Sequence, residues 1–546
     1  MKTKIVIGTV VTLLLVGAIG LLSYGFFFAS SQDDALSLVP EDSIGYFNVF
    51  LSPSTSQKQA LEDLIAKTPY ENPEEAIDKL TSLVDEGLSE QGCTFEEDID
   101  PWLGKQVAGF LSEAGDGAEN EGEGAILVAT DDADAALESL DECGDEVFQN
   151  AEDRTYEGTD YKFQEDGGAV GVVESHLVIG TENAFKDVVD TAANGDSLEG
   201  SEKYEQATEP LTGDRVATFY LDSKALFSQL QEAGGLAPQE LVAFESIYGM
   251  ASDQPFSAAL TLRSDAIVFE YAAGLPQGEA AEDITSAAKA SLTSDIVSQL
   301  PGGSWGAIGL GEFGQYIDKT LDLVSQFGPG GREFIEEQIE RETGLSLSED
   351  ILSWMGDLGI FVQGTSPTTV SGGVVIETKD AEASRTAIAA LEKLARREKA
   401  PVKDLGIPGV EGFAIQDPFQ PQPINVVAGD ERVVIAYGDL ATQQALESST
   451  TLQEDETFNT AEAALGDGFT LSGYFEANAI QTLVEDSVLP SITTLDPTTG
   501  QPIPNTDAQQ TYDDDVKPFI DPLSFVAFGS RLDGDTTLAR FIVGVE

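Results

Sequence analysis

The feature that most constrains this chain is one pattern carried twice. Val39-Pro40-Glu41-Asp42-Ser43-Ile44-Gly45 recurs as Leu300-Pro301-Gly302-Gly303-Ser304-Trp305-Gly306, 261 residues on. Gly92-Cys93-Thr94-Phe95-Glu96-Glu97-Asp98-Ile99 recurs as Gly344-Leu345-Ser346-Leu347-Ser348-Glu349-Asp350-Ile351, and the same step of 252 carries Trp102 and Gly104 onto Trp354 and Gly356. His176-Leu177-Val178-Ile179 matches Arg432-Val433-Val434-Ile435 at 256, and Tyr204 and Tyr220 match Phe458 and Tyr474 at 254. A near-constant step points to duplication, and shifts of a few residues are what loop insertions produce. The expected organisation is a stub and membrane anchor over 1–30, a first half over 37–275, a linker over 276–296 and a second half over 297–546. The Ala/Ile/Leu spacing of the linker predicts a helix.

Each half mixes strands and helices. In the first, Tyr46 to Leu51, Ala125 to Ala129, Val172 to Ile179 and Val216 to Leu221 read as strands, and 258–262 with 266–271 as a closing hairpin. Gln57 to Ile65, Ala133 to Leu140, Ala184 to Ala192 and Ser223 to Leu230 read as helices, the second capped from Asp131 and Asp132. Alternation and Gly-rich turns predict antiparallel sheets covered on one face. The fold class is therefore α+β: two tandem homologous halves with mainly antiparallel sheets, behind an N-terminal transmembrane helix. Residues 111–124 and 495–515 read as loops.

Lys2 and Lys4 precede an apolar run from Ile5 to Phe28, which is 24 residues. As a helix it would be about 36 Å long, enough to cross a bilayer and too long for the apolar core of a signal peptide. It reads as an uncleaved signal anchor, although Ala29-Ser30-Ser31 leaves cleavage open. A buried core helix is the plainer alternative. Lys lies before the run and Asp33 and Asp34 after it, so the N-terminus is expected in the cytoplasm and the body outside it.

The chain carries 97 acidic and 28 basic residues, a net charge of −69. Nucleic acid is not an expected partner, because no basic surface remains to neutralise phosphates. The charge is spread over both halves, so it is a property of the surface rather than of a tail. Such a surface repels itself and is destabilised at low salt, which fits a saline exterior. Weak, diffuse binding of divalent cations is expected.

The chemical motifs are sparse. Gly302-Gly303-Ser304-Trp305-Gly306 has the spacing of a nucleophile elbow, but Ser304 precedes a strand instead of following one. Gly309-Leu310-Gly311-Glu312-Phe313-Gly314 has the spacing of a dinucleotide loop, but half one has Asn48, Phe50 and Pro53 there. The single His, His176, aligns with Arg432 and so reads as an exposed strand end. Asp131-Asp132-Ala133-Asp134 and Asp513-Asp514-Asp515 lack the spacing of a calcium loop and read as a helix cap and a solvated loop. Two Cys and one His leave no Cys/His zinc cluster within the chain. Cys93 and Cys143 align with Leu345 and Leu391, two apolar positions, so both are expected in the core, and outside the cytoplasm they are expected to pair. Trp102 and Trp354, with Gly104, Gly356, Pro40 and Pro301, read as repeated packing positions. No catalytic residue, cofactor or specific metal site is nominated.

The anchor, the opening Leu36-Ser37-Leu38-Val39-Pro40-Glu41-Asp42-Ser43 and Trp102-Leu103-Gly104 about 60 residues on resemble the bacterial domain of unknown function 3352 family. The resemblance covers most of the body. It implies a membrane-anchored, extracytoplasmic protein of uncharacterised function and brings no catalytic residues. The expected role is a non-catalytic interaction or scaffold module with protein partners in the envelope. The alternatives are a carrier of a lipid or other apolar ligand, and a hydrolase working through carboxylates alone.

Overall fold

The computed structural model describes residues 32–546, apart from most of 71–92, 116–121, 144–150, 166, 233–253, most of 276–293, 326–330, 367, 406, 408–409, 418–419, 448 and 496–501. The anchor over 5–28 and nearly all of the linker lie outside the described residues. Among the described residues no helix is long and apolar enough to cross a membrane. The described chain falls into two compact units, one ending at Gly274 and the other running from Leu275 to Glu546.

Unit one has strands β1 (Gly45–Phe50), β2 (Leu103–Glu113), β3 (Glu123–Thr130), β4 (Glu152–Tyr156), β5 (Thr159–Phe163), β6 (Gly168–Val173), β7 (His176–Thr181), β8 (Ala217–Leu221), β9 (Phe256–Arg263) and β10 (Ala266–Gly274). They pair antiparallel throughout, in the order β4-β5-β6-β7-β3-β2-β1-β8-β9-β10. Its helices are α1 (Thr55–Ile65), α2 (Ala133–Cys143), α3 (Glu182–Asn194), α4 (Glu202–Thr208) and α5 (Ser223–Glu232). Local chemistry sets their ends. Ser54 and Thr181 cap α1 and α3, and Gly195 closes α3 at φ +77°. Asp132 Oδ1 accepts from Ala135 N–H at 3.1 Å to start α2.

The β6-β7-β3-β2 part of the sheet is covered on both faces, not on one. Tyr46, Ala108, Phe110, Leu127 and Val178 pack with Phe185, Val188 and Val189 of α3. The alternate positions Val107, Val128, Leu177 and Val170 pack instead with Trp102 and Ala136, the latter from α2. Successive side chains on a strand point to opposite faces, so two helical layers are buried on one sheet. The expected strand from Val172 to Ile179 is also two strands. Glu174 at φ +53° turns β6 into β7, because a polar Glu-Ser pair breaks the apolar run.

Unit two has β11 (Ser304–Leu310), β12 (Met355–Gln363), β13 (Ser371–Thr378), β14 (Val402–Asp404), β15 (Glu411–Ile415), β16 (Ile424–Ala428), β17 (Arg432–Tyr437), β18 (Thr470–Glu476), the small hairpin β19 (Thr493–Leu495) and β20 (Pro502–Pro504), β21 (Leu523–Asp533) and β22 (Thr536–Val545). Its main sheet is antiparallel and ordered β14-β15-β16-β17-β13-β12-β11-β18-β21-β22, position for position the order of unit one. The helices following β11, β13 and β17 are α6 (Phe313–Ser325), α8 (Ala381–Arg397) and α9 (Asp439–Glu447), with α7 (Gly331–Thr343) after α6 and α10 (Glu456–Leu465) before β18. Matching isolated bridges join Pro40 to Ser197 and Pro301 to Thr451. Two expected loops are partly regular: β2 and β3 extend to Glu113 and from Glu123, and residues 502–516 carry a strand and helical turns.

Candidate functional site

The polar residues of unit one converge where the chain enters it. Residues 32–37 form a short stem whose 3-10 turn, Ala35–Ser37, buries Ala35 and Leu36. The turn points Asp33 inward, where its two carboxylate oxygens accept from Tyr46 Oη at 2.7 Å each. Leu36 N–H donates to the same carboxylate at 3.3 Å. Gln106, fully buried on β2, lies beneath. Asp34 N–H donates to Gln106 Oε1 at 3.3 Å. A backbone N–H can only donate, so the amide orientation is fixed and Gln106 Nε2 faces Asp33 and His176. It lies 3.5 Å from Asp33 Oδ1 and 3.5 Å from His176 Nε2.

Burial dominates the electrostatics. It pushes the Asp33 carboxyl up to about 6, against the Tyr46 hydrogen bond, and holds the His176 imidazole down at about 4, against the attraction of Asp34. Asp34 is itself tied to Lys105 Nζ at 2.6 Å. Asn48 on β1 is 0 % exposed, and its side chain beside Asp33 favours the ionised carboxylate. Above the cluster opens a cavity of about 250 Å³, lined by Gln32, Asp33, Asp34, Ser37, Glu174, Ser175, His176 and Glu199.

Unit two shows what the fold needs at this place without that cluster. By strand register, Tyr46 and Asn48 correspond to Ala307 and Gly309. Ile296 and Val297, beside β11, fill the vacated volume: a Cβ on Gly309 would stand 2.6 Å from a methyl of each. Large strand residues under a small Ala35 in one unit become small strand residues under a large Ile296 in the other.

A second feature is an apolar sheet face. Phe47, Phe219, Ala258 and Tyr271 stand in one cross-strand row of unit one. The corresponding row of unit two is Ile360, Ile308, Gly473, Phe528 and Phe541. Phe219, Phe269, Tyr271, Ile308, Ile360 and Phe541 are each 38–47 % exposed. Phe256 stacks edge-on to Phe219 at 6.1 Å.

The residues singled out in sequence fall as follows. Trp102 and Trp354 are core residues, each at the end of a short helical turn that begins at Phe95 or Leu347. Asp98 and Asp350 accept from the N–H of Thr94 and Ser346 at 2.7 and 2.8 Å. A Cβ on Gly104 would meet the Ala129 backbone at 2.7 Å, and one on Gly356 would meet Glu377 O at 3.1 Å. Ser304 is buried and donates to Pro301 O at 2.6 Å, in the turn that leads into β11. Gly314 makes room for Leu352 O, which a Cβ would meet at 2.2 Å.

Two expectations are corrected. His176 is not an exposed strand end; it is 2 % exposed, because the stem folds over the start of β7. Leu391, the partner of Cys143 in the repeat, is 39 % exposed, so apolar character there does not mean core. Cys93 is buried and no cysteine among the described residues is free. The side chain of Cys143 lies outside the described residues. No group of three or more His, Cys, Asp or Glu among the described residues could hold a metal ion; Asp132 caps a helix, and Asp513 and Asp514 accept from Gln509 and Gln510.

A crystal structure of TP0453 in crystal form III matches with TM-score 0.26 and 12 % identity, over 48 % of this chain and 89 % of that one. Crystal form I of TP0453 matches with TM-score 0.23 and 11 % identity, over 46 % and 81 %. No curated protein matches the chain. The resemblance read from the Val-Pro-Glu-Asp-Ser opening and the Trp-Leu-Gly step extends over residues 5–508, and the chain belongs to the family described as protein of unknown function (DUF3352).

Proposed function

We propose that this protein is a non-catalytic interaction module, carried outside the cytoplasm by a single membrane span over residues 5–28. The observation that carries the reading is the half-exposed apolar row on the sheet of each unit. Contiguous exposed apolar surface marks an interaction site on a soluble domain, and aromatic residues are what partners pack against. An apolar row recurs at register-equivalent positions of the two sheets. The cavity at Asp33 is lined by polar groups, which does not favour a carrier of apolar ligands.

The test places a photo-crosslinking residue at Phe219 and at Phe541 in the full chain, in cells, with exposed Glu157 as the control position. Discrete adducts from 219 and 541 that are absent from 157 support the reading. No adduct, or the same adducts from 157, overturns it. The anchor is tested separately: carbonate-washed membranes retain the full chain and lose a chain lacking residues 5–28.

A further inference from the structure

We propose that unit one rests against lipid headgroups through the mouth of the cavity beside its stem, with the β6–β7 turn at Glu174 and Ser175 and the 3-10 turn Leu198–Gly200 facing the bilayer. The inference rests on the membrane span proposed for residues 5–28. That apolar run ends at Phe28, and only residues 29–32 separate it from Asp33. Five residue steps reach at most about 18 Å. The stem itself adds no slack, because it is fastened along its length. Asp33 is held by Tyr46 Oη at 2.7 Å, and Asp34 by Lys105 Nζ at 2.6 Å. Ala35, Leu38 and Val39 are buried, Leu198 N–H donates to Val39 O at 2.8 Å, and Pro40 bridges to Ser197.

The exit point of the chain selects the surface. Gln32 is exposed and lines the cavity mouth together with Glu174, Ser175 and Glu199. A span joined to Gln32 by three residues therefore leaves the body between the two turns. The headgroup layer on one side of a bilayer is about 5–8 Å thick. Of the reach of about 18 Å, only about 10–13 Å is left beyond the headgroups, close to one screening length at physiological salt. Every residue lining the mouth is polar or charged, so the surface fits the hydrated headgroup layer and not the hydrocarbon. Its carboxylates are repelled by an anionic leaflet, so the short tether, and not charge attraction, sets the contact.

The chain holds one histidine, and His176 lines this cavity, so a single ¹³Cε1-histidine resonance reports the approach to the bilayer. E165H adds a second reporter on the exposed turn between β5 and β6, at the far end of β6 and roughly 20 Å away. The labelled full chain is placed in unlabelled phosphatidylcholine nanodiscs, with and without a lipid that carries gadolinium chelate on its headgroup. Gadolinium should broaden the His176 resonance and leave the resonance introduced by E165H sharp. Inserting about 20 Gly/Ser residues between Ser31 and Gln32, a mean span of about 25 Å, should remove most of the His176 broadening. Without gadolinium, the His176 shift of that chain should match the natural one, which shows that its body is intact. Equal broadening of the two resonances, or broadening that the insert leaves unchanged, overturns the proposal. A chain that enters the discs and keeps His176 sharp overturns this inference alone, whereas a chain that does not enter them overturns the span as well.

Discussion

Gln106 Nε2 stands 3.5 Å from His176 Nε2, and the same nitrogen stands 3.5 Å from Asp33 Oδ1. One amide thus links an acid and a base whose pKa values burial has moved in opposite directions. Asp33 rises from 3.8 to about 6, so its folded form holds a proton more tightly than the unfolded chain does. Its contribution to stability is full below pH 3.8 and is lost as pH rises to 6. His176 falls from 6.5 to about 4, so its contribution is full above pH 6.5 and is lost as pH falls to 4. Each is worth roughly 3 kcal/mol at about 1.4 kcal/mol per unit, and over the shared window they cancel. Asp34, Lys105, Tyr46 and Tyr204 also act on the pair, and Glu174 and Glu199 line the same cavity. Relative to the natural chain, D33N should therefore gain stability as pH rises from 4 to 6, and H176Q should gain as it falls over the same range. Urea unfolding at several pH values checks this; parallel difference curves for the two variants would refute it.

Much of this architecture was legible in the sequence, and the reason is periodicity. Alternation in Tyr46 to Phe50 and the paired turns of 258–271 are local signals, and local signals set strands. The polar site was not legible. Asp33 and Asp34 read naturally as the outer flank of a membrane span, and nothing local says that one of them turns inward. Only long-range packing shows that the stem covers His176. The usable signal was Asn48, a polar residue at an inward strand position whose repeat partner is Gly309. The apolar row was hidden for a related reason: alternation reveals that a face is apolar but not whether a helix covers it.

Gly104 and Gly356 occupy the same place in the two units but differ in tolerance. Adding a Cβ at 104 drives it against the Ala129 backbone at 2.7 Å, where nothing flexible can yield. At 356 the closest approach is 3.1 Å, to Glu377 O, and a small shift relieves it. G104A should cost about 1–3 kcal/mol, as overpacking does, and G356A clearly less. Urea midpoints of the two variants decide the order.

Trp102 and Trp354 offer a cleaner comparison, because both are buried and a change to Phe removes the same atoms from each. Trp102 Nε1 donates to Asp98 O at 2.7 Å, whereas Trp354 Nε1 has no partner. The cavity left by the lost ring is similar in the two cases, so the difference isolates one hydrogen bond. W102F should be more destabilising than W354F by about 1 kcal/mol. Equal costs would mean that the indole N–H of Trp102 contributes nothing net.

The pairing of Cys93 with Cys143 is a proposal that mass spectrometry resolves directly. Peptides containing the two residues should travel as one species until a reductant is added. Closing a loop of this length stabilises by roughly 4 kcal/mol in the chain-entropy account. Reduction, or a C93A/C143A variant, should lower the urea midpoint by a corresponding amount. Separate peptides from chain isolated out of an oxidising envelope would end the proposal.

A net charge of −69 sets the response to salt. Many of the acids have no basic neighbour to pair with, since bases number 28 against 97 acids. Repulsion among them is weaker in the expanded unfolded chain, so it acts against the fold. Raising sodium chloride from about 0.1 M to 1 M shortens the screening length from about 10 Å to 3 Å, which removes most of that repulsion. The few exposed ion pairs, such as Arg396 with Glu392 and Asp404, lose their small attraction over the same range. The first effect involves far more charges than the second, so the urea midpoint should rise with salt. A midpoint that falls would mean that ion pairs, and not the excess of carboxylates, govern the electrostatics of this surface.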